Sequence, residues 1–323
     1  MLKISYKIKI GSTTITEGKE TTLLEVRTNS SLNIPANSCY LTLASPQNLK
    51  ISPDSPISVE LGYDKKTTLV FTGKVSTINW EINQVRIEGI SSLENLIITH
   101  FNSLYEKSTA GDIVKDILKQ GKLKSEKVEN GIKFSSYALG NTISAYDHLQ
   151  RLAQQCGFDT YANTKDKILF AKYKPSTTHE LTYGEDILSL SLEKPSAGIG
   201  KVEIYGESPA SQGQGEKAAS WLTKKEVKGT AGNNSGVTLR LVEPAARTQA
   251  SAQKIAQGIY ANLHEKQRGK MKIIGNPQVK LGDGIKITKM PISQQNGTFK
   301  VTGVSQILNY RRGFFTIINW EES

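Results

Sequence analysis

The amino-acid sequence predicts a mainly β protein with an α+β insertion, in which two related antiparallel β-barrels form a pseudo-sixfold ring in a homotrimer. Three observations carry this prediction. Both ends of the chain alternate apolar and polar residues with a period of two, which buries one face of a strand. The middle of the chain repeats apolar residues at helical spacing instead. A stretch near residue 75 recurs in altered form near residue 305.

The first β region covers residues 1–98 and is predicted to be the first barrel. Its opening strand places four apolar side chains on one face: Ile4, Tyr6, Ile8 and Ile10. Further short strands are predicted at 23–26, 39–43, 57–61, 69–71, 75–80 and 85–90. A turn is expected at Gly73, between two of them. Many short strands at this spacing favour an antiparallel barrel over a parallel sheet.

Residues 99–175 change character and are predicted to be a small α+β domain. Thr109 and Asp112 have the spacing of a capping box at the start of a helix. Gly121 is expected to end this helix in the left-handed conformation. A second helix is predicted from Ile143 to Cys156, where apolar residues share one face.

A hairpin is predicted after that helix, from residues 158–161 and 168–170. The second barrel is then assigned to residues 176–205 and 270–323. Residues 206–269 are predicted to be inserted loops, followed by a helix at about 246–267.

The internal repeat relates residues 71–80 to residues 301–310. Both contain Thr-Gly, then Val-Ser-x-Ile, then an aromatic residue, with one-residue slips. Chance similarity between two hairpins explains the match about as well as duplication does. If the repeat is real, the chain holds two related barrels, and three chains would then form a pseudo-sixfold ring.

The composition excludes several classes of protein. The chain has 323 residues, with 41 basic and 30 acidic side chains and a formal net charge of +11. Two cysteines and four histidines, all far apart, exclude a zinc module or a disulfide scaffold. The start of the chain lacks the apolar core of a signal peptide, and no stretch has the length of a membrane span. We therefore expect a soluble protein made without a signal peptide and without membrane insertion.

No motif in the sequence indicates an active site, a cofactor or a metal. Residues 213–218 resemble a dinucleotide fingerprint but lack the preceding strand, and His264-Glu265 lacks a second zinc ligand on its face. The remaining candidates are isolated side chains or adjacent carboxylates: Cys39, Cys156, His148, Glu185-Asp186 and Glu321-Glu322. We predict that the protein is not an enzyme, although a site assembled from scattered residues stays open.

The positive charge is concentrated near the end of the chain. From Lys266 to Arg312 there are ten basic residues and one acidic residue, a net charge of +9 in 47 residues. The candidate interface residues are Lys266, Arg268, Lys270, Lys272, Arg311 and Arg312. A docking surface for an acidic protein is favoured over nucleic acid, for which interleaved aromatic residues would be needed.

Five stretches in succession resemble a known family. They are residues 109–118, 147–158, 168–170, 275–287 and 297–304. In this order they resemble the late control gene D family of contractile phage tails, the baseplate hub proteins. They are similar also to the N-terminal hub part of the VgrG spike proteins of type VI secretion.

This resemblance implies a homotrimeric baseplate hub that is made in the bacterial cytoplasm and is assembled, as a structural part, into a phage tail or a related injection particle. Such a hub adapts the hexameric tail tube to a trimeric spike, and its other partners are further baseplate proteins. Many relatives continue into a spike domain, whereas this chain stops at Ser323, which implies a separate spike polypeptide. Two alternatives stay open: a barrel that binds nucleic acid or glycan, and a tail-associated cell-wall hydrolase.

Overall fold

The computed structural model describes residues 3–18, 22–44, 50–194, 198–206, 227–233, 236–263 and 266–322. The strands of the first β region are β1 (Ile4–Ile10), β2 (Thr13–Thr16), β3 (Leu23–Ser31), β4 (Ser38–Ala44), β5 (Pro56–Tyr63), β6 (Lys66–Trp80) and β7 (Gln84–Ile90). The elements of the middle block are α1 (Asn95–Ile98), β8 (Ser103–Glu106), α2 (Ala110–Gln120), β9 (Ser125–Val128), β10 (Ser136–Leu139), α3 (Ala145–Cys156), β11 (Asp159–Ala162) and β12 (Ile168–Ala171).

The remaining elements are β13 (Thr178–Thr182), β14 (Ile187–Glu193), β15 (Ile199–Gly206), β16 (Lys228–Gly232), β17 (Val237–Glu243), α4 (Gln249–Leu263), β18 (Arg268–Ile274), β19 (Gly284–Thr288), β20 (Gly297–Asn309) and β21 (Gly313–Glu322). The mainly antiparallel β fold that the sequence predicts is confirmed. The arrangement of two closed barrels in a ring stays a prediction.

Strands from both predicted β regions belong to one 13-stranded sheet. Its first half runs in the order β3-β4-β7-β6-β5-β1-β2, and its second half in the order β14-β18-β21-β20-β19-β13. The meander β5-β6-β7 therefore corresponds to β19-β20-β21, and the ends β3 and β14 correspond to each other. This shared order supports the internal repeat. The two halves differ at one pairing. In the first half β1 runs antiparallel to β5, whereas in the second half the equivalent strand β13 runs parallel to β19.

The two halves are joined by an antiparallel pairing of β3 with β20. Seven residue pairs form this seam, from Gly303 opposite Ser31 to Asn309 opposite Glu25. Side chains also cross it: the Ser305 hydroxyl donates to Asn29 Oδ1 at 2.8 Å, and Asn309 Nδ2 donates to Glu25 Oε2 at 2.6 Å. The seam therefore combines a backbone ladder with polar side-chain contacts.

Each half of the sheet has its own apolar core. The first core contains Ile8, Leu41 and Phe71, together with Leu308 and Phe314 from the hairpin of β20 and β21. The alternation predicted for the opening strand is confirmed from Tyr6 to Ile10, since Tyr6, Ile8 and Ile10 are buried while Lys9 is exposed. At the start of the strand Ile4 is only half-buried and Ser5 is buried.

The second core packs inside the other half of the sheet. It includes Met271, Ile285, Val301, Ile318 and Trp320.

A third core unites the middle block with the segment that follows β14. Helices α2 and α3 share it with α4 and with the small sheet β16-β15-β17. The strand β15, which the sequence analysis assigns to the second barrel, thus pairs outside the 13-stranded sheet. The division of the chain into domains stays a prediction.

The helix ends of the middle block test the capping predictions. The Thr109–Asp112 capping box is present, and Gly157 ends α3 with a φ of 66°. The left-handed conformation predicted for Gly121 is wrong, because its φ is −73° and Lys122 takes the positive φ instead. A Cβ at Gly121 would lie 2.5 Å from Leu96 Cδ2, so this glycine serves close packing. The predicted hairpin of β11 and β12 is confirmed.

The turn predicted at Gly73 is wrong, because β6 runs unbroken from Lys66 to Trp80. A Cβ at Gly73 would lie 2.3 Å from the Ile90 carbonyl oxygen, so the glycine permits close contact with the end of β7. A β-bulge after Val75 bends the same strand.

One buried carboxylate in the small sheet ties three cations together. Glu203 on β15 lies 2.9 Å from Lys201 Nζ, 2.9 Å from Arg240 Nε and 3.6 Å from Lys228 Nζ. Hydrogen bonds from Lys201 and Arg240 lower the pKa of Glu203 to about 2. The carboxylate is therefore held charged across almost the whole acid range.

We expect Glu203→Gln to be less stable than the wild type at pH 7. A lowered carboxyl pKa adds stability above the ordinary value of 4.5, and that stability is lost as the pH falls towards about 2. In urea unfolding, the difference in free energy of unfolding between the variant and the wild type should therefore shrink as the pH falls from 4.5 to about 2. Glu193→Gln is the matched control, because Glu193 is exposed and pairs with a single arginine. An unchanged difference from pH 7 to pH 2 would contradict the assignment.

Candidate interaction surfaces

The concentrated positive charge near the end of the chain is partly neutralised by acidic residues from elsewhere. Five basic residues of this segment form ion pairs with carboxylates that lie outside it: Lys266–Glu321, Arg268–Glu193, Lys286–Glu180, Lys289–Glu185 and Lys300–Asp159. These partners are 55 to 141 residues distant in sequence. The net charge counted along the segment therefore overstates its free positive charge.

Lys300 is the most buried of these cations, with a side chain only 6% exposed. Its Nζ lies 2.6 Å from Asp159 Oδ1, 3.4 Å from Glu321 Oε1 and 5.0 Å from the centre of the Tyr173 ring. Burial raises the pKa of Asp159, although the charge of Lys300 opposes that change. This contact joins β11 of the middle block to β20 of the large sheet. Lys266, a predicted interface residue, extends the network through Glu321.

Three of the predicted interface residues share one face of β18. Met271 and Ile273 are buried, so alternation places Arg268, Lys270 and Lys272 on the opposite face. Arg268 donates two hydrogen bonds of 3.1 Å to Glu193 on β14, and this contact lowers the pKa of the glutamate. Lys272 Nζ lies 4.0 Å from the centre of the Phe315 ring. The side chain of Lys270 is exposed.

Arg311 and Arg312 lie in the turn between β20 and β21. Their backbone N–H groups donate to Asn309 Oδ1, which fixes the turn, and both side chains are exposed. Arg268 pairs with Glu321 at the far end of β21. The other end of β18, Ile274, pairs with Phe315 close to this turn. Since a strand rises about 3.3 Å per residue, Arg268 lies roughly 20 Å from that end. The predicted residues therefore occupy two places on the surface.

Both equivalent hairpin turns carry exposed aromatic residues. The turn between β6 and β7 exposes 55% of Trp80 and all of Ile82, and the turn between β20 and β21 exposes 77% of Tyr310. Tryptophan, tyrosine and arginine are enriched where proteins bind each other. The two turns, here named the hairpin tips (residues 80–83 and 310–312), are the candidate protein-binding points of the sheet.

A polar cleft of about 470 Å³ lies between α3, β11 and β20. Each charged side chain that lines it already has a partner: Asp147 in the capping box with Ser144, Arg151 with Glu243, and Asp159 and Glu321 with Lys300. Among the described residues that line it, the cleft therefore offers no unpaired acid–base couple for catalysis.

One cluster of polar residues has no signal in the sequence, because its members are far apart along the chain. His179 Nε2 lies 2.9 Å from Asp283 Oδ2, and the Ser176 hydroxyl donates to Asp283 Oδ1 at 3.2 Å. In a hydrolytic triad the serine contacts the histidine, whereas here both contact the carboxylate. Asp283 Oδ2 also accepts from the Lys280 N–H. The cluster thus fixes the turn before β19.

The other catalytic candidates are buried or paired, except Glu322, which is exposed at the end of β21. Burial raises the pKa of Cys39 to about 12 and that of Cys156 to about 11, so neither thiol is ionised at neutral pH. His148 Nε2 lies 2.8 Å from the Gly140 carbonyl oxygen. Glu185 pairs with Lys289, and Asp186 accepts from the Thr182 N–H. The dinucleotide-like residues 213–218 and the His264-Glu265 pair lie outside the described residues.

Within the described ranges, no three carboxylate, imidazole or thiol side chains come together as a metal site. No helix in the described part of the chain has both the length and the apolar character needed to cross a membrane.

Comparisons with known proteins identify one family and a set of structural neighbours. The family model described as the Alg8 N-terminal domain matches residues 7–309. A 43 kDa tail protein of prophage MuSo2 from Shewanella oneidensis has 14% identity and a TM-score of 0.73, over 99% of this chain and 98% of that one. A tail protein from Neisseria meningitidis MC58 has 14% identity and a TM-score of 0.69, over 99% and 97%.

A third neighbour is the E. coli c3393 protein, a component of the type VI secretion system with structural similarity to T4 bacteriophage tail proteins. It has 12% identity and a TM-score of 0.60, over 97% of this chain and 76% of that one. Comparison with curated proteins gives no match. The predicted resemblance to tail proteins is therefore confirmed at the level of the fold.

Proposed function

This chain belongs to the Alg8 N-terminal domain family, and because it has the fold of phage tail proteins, we propose that it is the baseplate hub of a contractile injection machine. In this role it has no catalytic activity. Three copies form a ring that joins the hexameric tail tube to a trimeric spike. The machine is a phage tail or a related particle.

The observation that carries this proposal is the duplicated strand order within one sheet. A ring that contacts a hexamer on one side and a trimer on the other needs six similar units in three chains. The two halves of the sheet supply two such units per chain, since β5-β6-β7 and β19-β20-β21 occupy equivalent places. The tail-protein neighbours, which match over nearly their whole length, support the same role.

The hairpin tips are proposed to contact the tube or another baseplate protein. One tip presents Trp80 and Ile82, and the other presents Tyr310 with Arg311 and Arg312. In a ring of three chains these tips alternate as six contact points. Exposed aromatic and arginine side chains in such turns suit a protein partner better than an unspecific polyanion.

The decisive experiment is the mass of the purified chain in solution, measured by light scattering and followed by negative-stain electron microscopy. The hub predicts a mass three times the chain mass of 35.5 kDa and a ring with the width of a tail tube. A monomer at all concentrations would contradict the hub. Oligonucleotide binding with a steep salt dependence would favour the nucleic-acid alternative. Release of soluble cell-wall fragments would favour the hydrolase.

A further inference from the structure

The seam between β3 and β20 shows how one half of the sheet binds another half. One edge of β20 is occupied by β21. The other edge is divided, because residues 297–300 pair with β19 and residues 303–309 pair with β3. As a result, every residue from 303 to 309 is buried or half-buried. The end strand of the first half thus fills the edge that β19 leaves open.

The equivalent edge of β6 is open. This strand pairs with β5 only as far as Lys74, and from Lys74 to Trp80 it pairs with β7 on its other edge. At Val75 this edge is still bonded, because the Val75 N–H donates to the Ser55 carbonyl oxygen and the Val75 carbonyl oxygen accepts from the Asp54 N–H. From Ser76 to Trp80, no described strand pairs with it. Ser76, Thr77 and Asn79 are exposed there. The open segment from residue 76 to residue 80 is two residues shorter than the seven-residue segment that β3 covers on β20.

The strand equivalent to β3 is β14, and its outer edge is also open. Each is the end strand of its half, β3 beside β4 and β14 beside β18. Each also has a β-bulge after its first residue, between Leu23 and Glu25 in β3 and between Ile187 and Ser189 in β14. β14 has seven residues, and Leu188 on it is 57% exposed. Besides β18, the described residues give β14 only an isolated bridge of Ile187 with Tyr183 at its start, so its outer edge is open from Leu188 onward.

We infer that β14 of one copy pairs antiparallel with residues 76–80 of β6 in a second copy, reproducing between chains the seam that β3 and β20 form within the chain. The inference rests on the proposed trimer and names the strands that close it. Three such contacts alternate with three internal seams around a ring of six half-sheets. No long open edge of these strands is then left to aggregate.

Disulfide trapping in the isolated trimer tests this pairing. Ser191→Cys on β14 is combined in turn with Ser76→Cys, Thr77→Cys and Asn79→Cys on β6. The three positions sample both faces and adjacent registers of the strand, and a disulfide needs Cα atoms within about 7 Å. On mild oxidation, at least one combination should yield covalent dimers and trimers on a denaturing gel. The single variants control for Cys39 and Cys156, and Ser191→Cys with Lys9→Cys is the matched control outside the contact.

The outcomes separate the inference from the proposed function. A trimer that cross-links between β14 and β6 supports both. A trimer that none of the three combinations cross-links beyond the Lys9 control overturns the strand assignment and leaves the hub in place. If the wild type and all variants are monomeric, both the proposed hub function and the pairing of β14 with β6 are wrong.

Discussion

Replacing Trp320 by alanine is expected to lower the free energy of unfolding by about 3–5 kcal/mol, the usual cost of truncating a fully buried aromatic side chain. Trp320 lies on β21 and has no exposed surface. Its ring centre is 4.2 Å from that of Phe299 in the second core. Among the described residues of this core, Phe299 is the only other aromatic side chain, so no second ring is left to fill the cavity that the indole leaves.

Equilibrium urea unfolding followed by circular dichroism measures this loss, since tryptophan fluorescence changes with the substitution itself. Trp80→Ala is the matched control. It removes the same side chain from a hairpin tip where 55% of it is exposed, so the free energy of unfolding should change by no more than about 0.5 kcal/mol. Equal losses in the two variants would contradict the burial of Trp320 or the exposure of Trp80.

The local structure of this chain could largely be predicted because short-range signals determine it. The alternation of Ile4, Tyr6, Ile8 and Ile10 sets the buried face of β1. The spacing of Thr109 and Asp112 sets the start of α2. Such signals act within a few residues, so the sequence displays them directly.

Glycines were harder to interpret, because a glycine that permits a turn cannot be distinguished in sequence from one that permits close contact. The sequence predicts conformational roles for Gly73 and Gly121, whereas in the structure both permit close contact, with the Ile90 carbonyl group and with the Leu96 side chain. The partner that requires the missing Cβ is specified only by the tertiary fold.

Pairing between distant residues was also beyond the sequence. The predicted basic segment contains only one acidic residue, but Glu180, Glu185 and Glu193 come from a preceding segment to neutralise it. The cluster of His179 with Asp283 spans 104 residues in the same way. Parallel pairing of β13 with β19 and antiparallel pairing of β14 with β18 bring these residues together. Neither pairing has a local signature.

Replacing Lys300 by methionine is expected to destabilise the chain by about 3–5 kcal/mol, because it leaves the Asp159 carboxylate buried without its cation. Methionine retains most of the apolar stem, so the change chiefly removes charge. Glu321 keeps Lys266 as its partner at 3.5 Å. The loss should therefore come from Asp159 alone and should loosen the contact between β11 and β20.

The pH dependence of this loss identifies its cause. Burial raises the pKa of Asp159 above its ordinary value of 3.8 even beside Lys300, and loss of the lysine raises it further. A carboxyl group with a raised pKa binds its proton more tightly in the folded state, so stability increases as the pH falls through that pKa towards 3.8. The deficit of Lys300→Met relative to the wild type, measured by urea unfolding, should therefore be smaller at pH 4.5 than at pH 7.

The double variant Asp159→Leu, Lys300→Met separates charge from packing. Replacing both members of a buried ion pair by apolar side chains is often neutral, so the double variant should recover most of the stability that Lys300→Met loses. It should also show no extra stability gain on acidification compared with the wild type. If the double variant is as unstable as the single one at every pH, the ion pair is not the source of the loss. The junction between the middle block and the large sheet would then depend on the packing of the Lys300 stem against Tyr173.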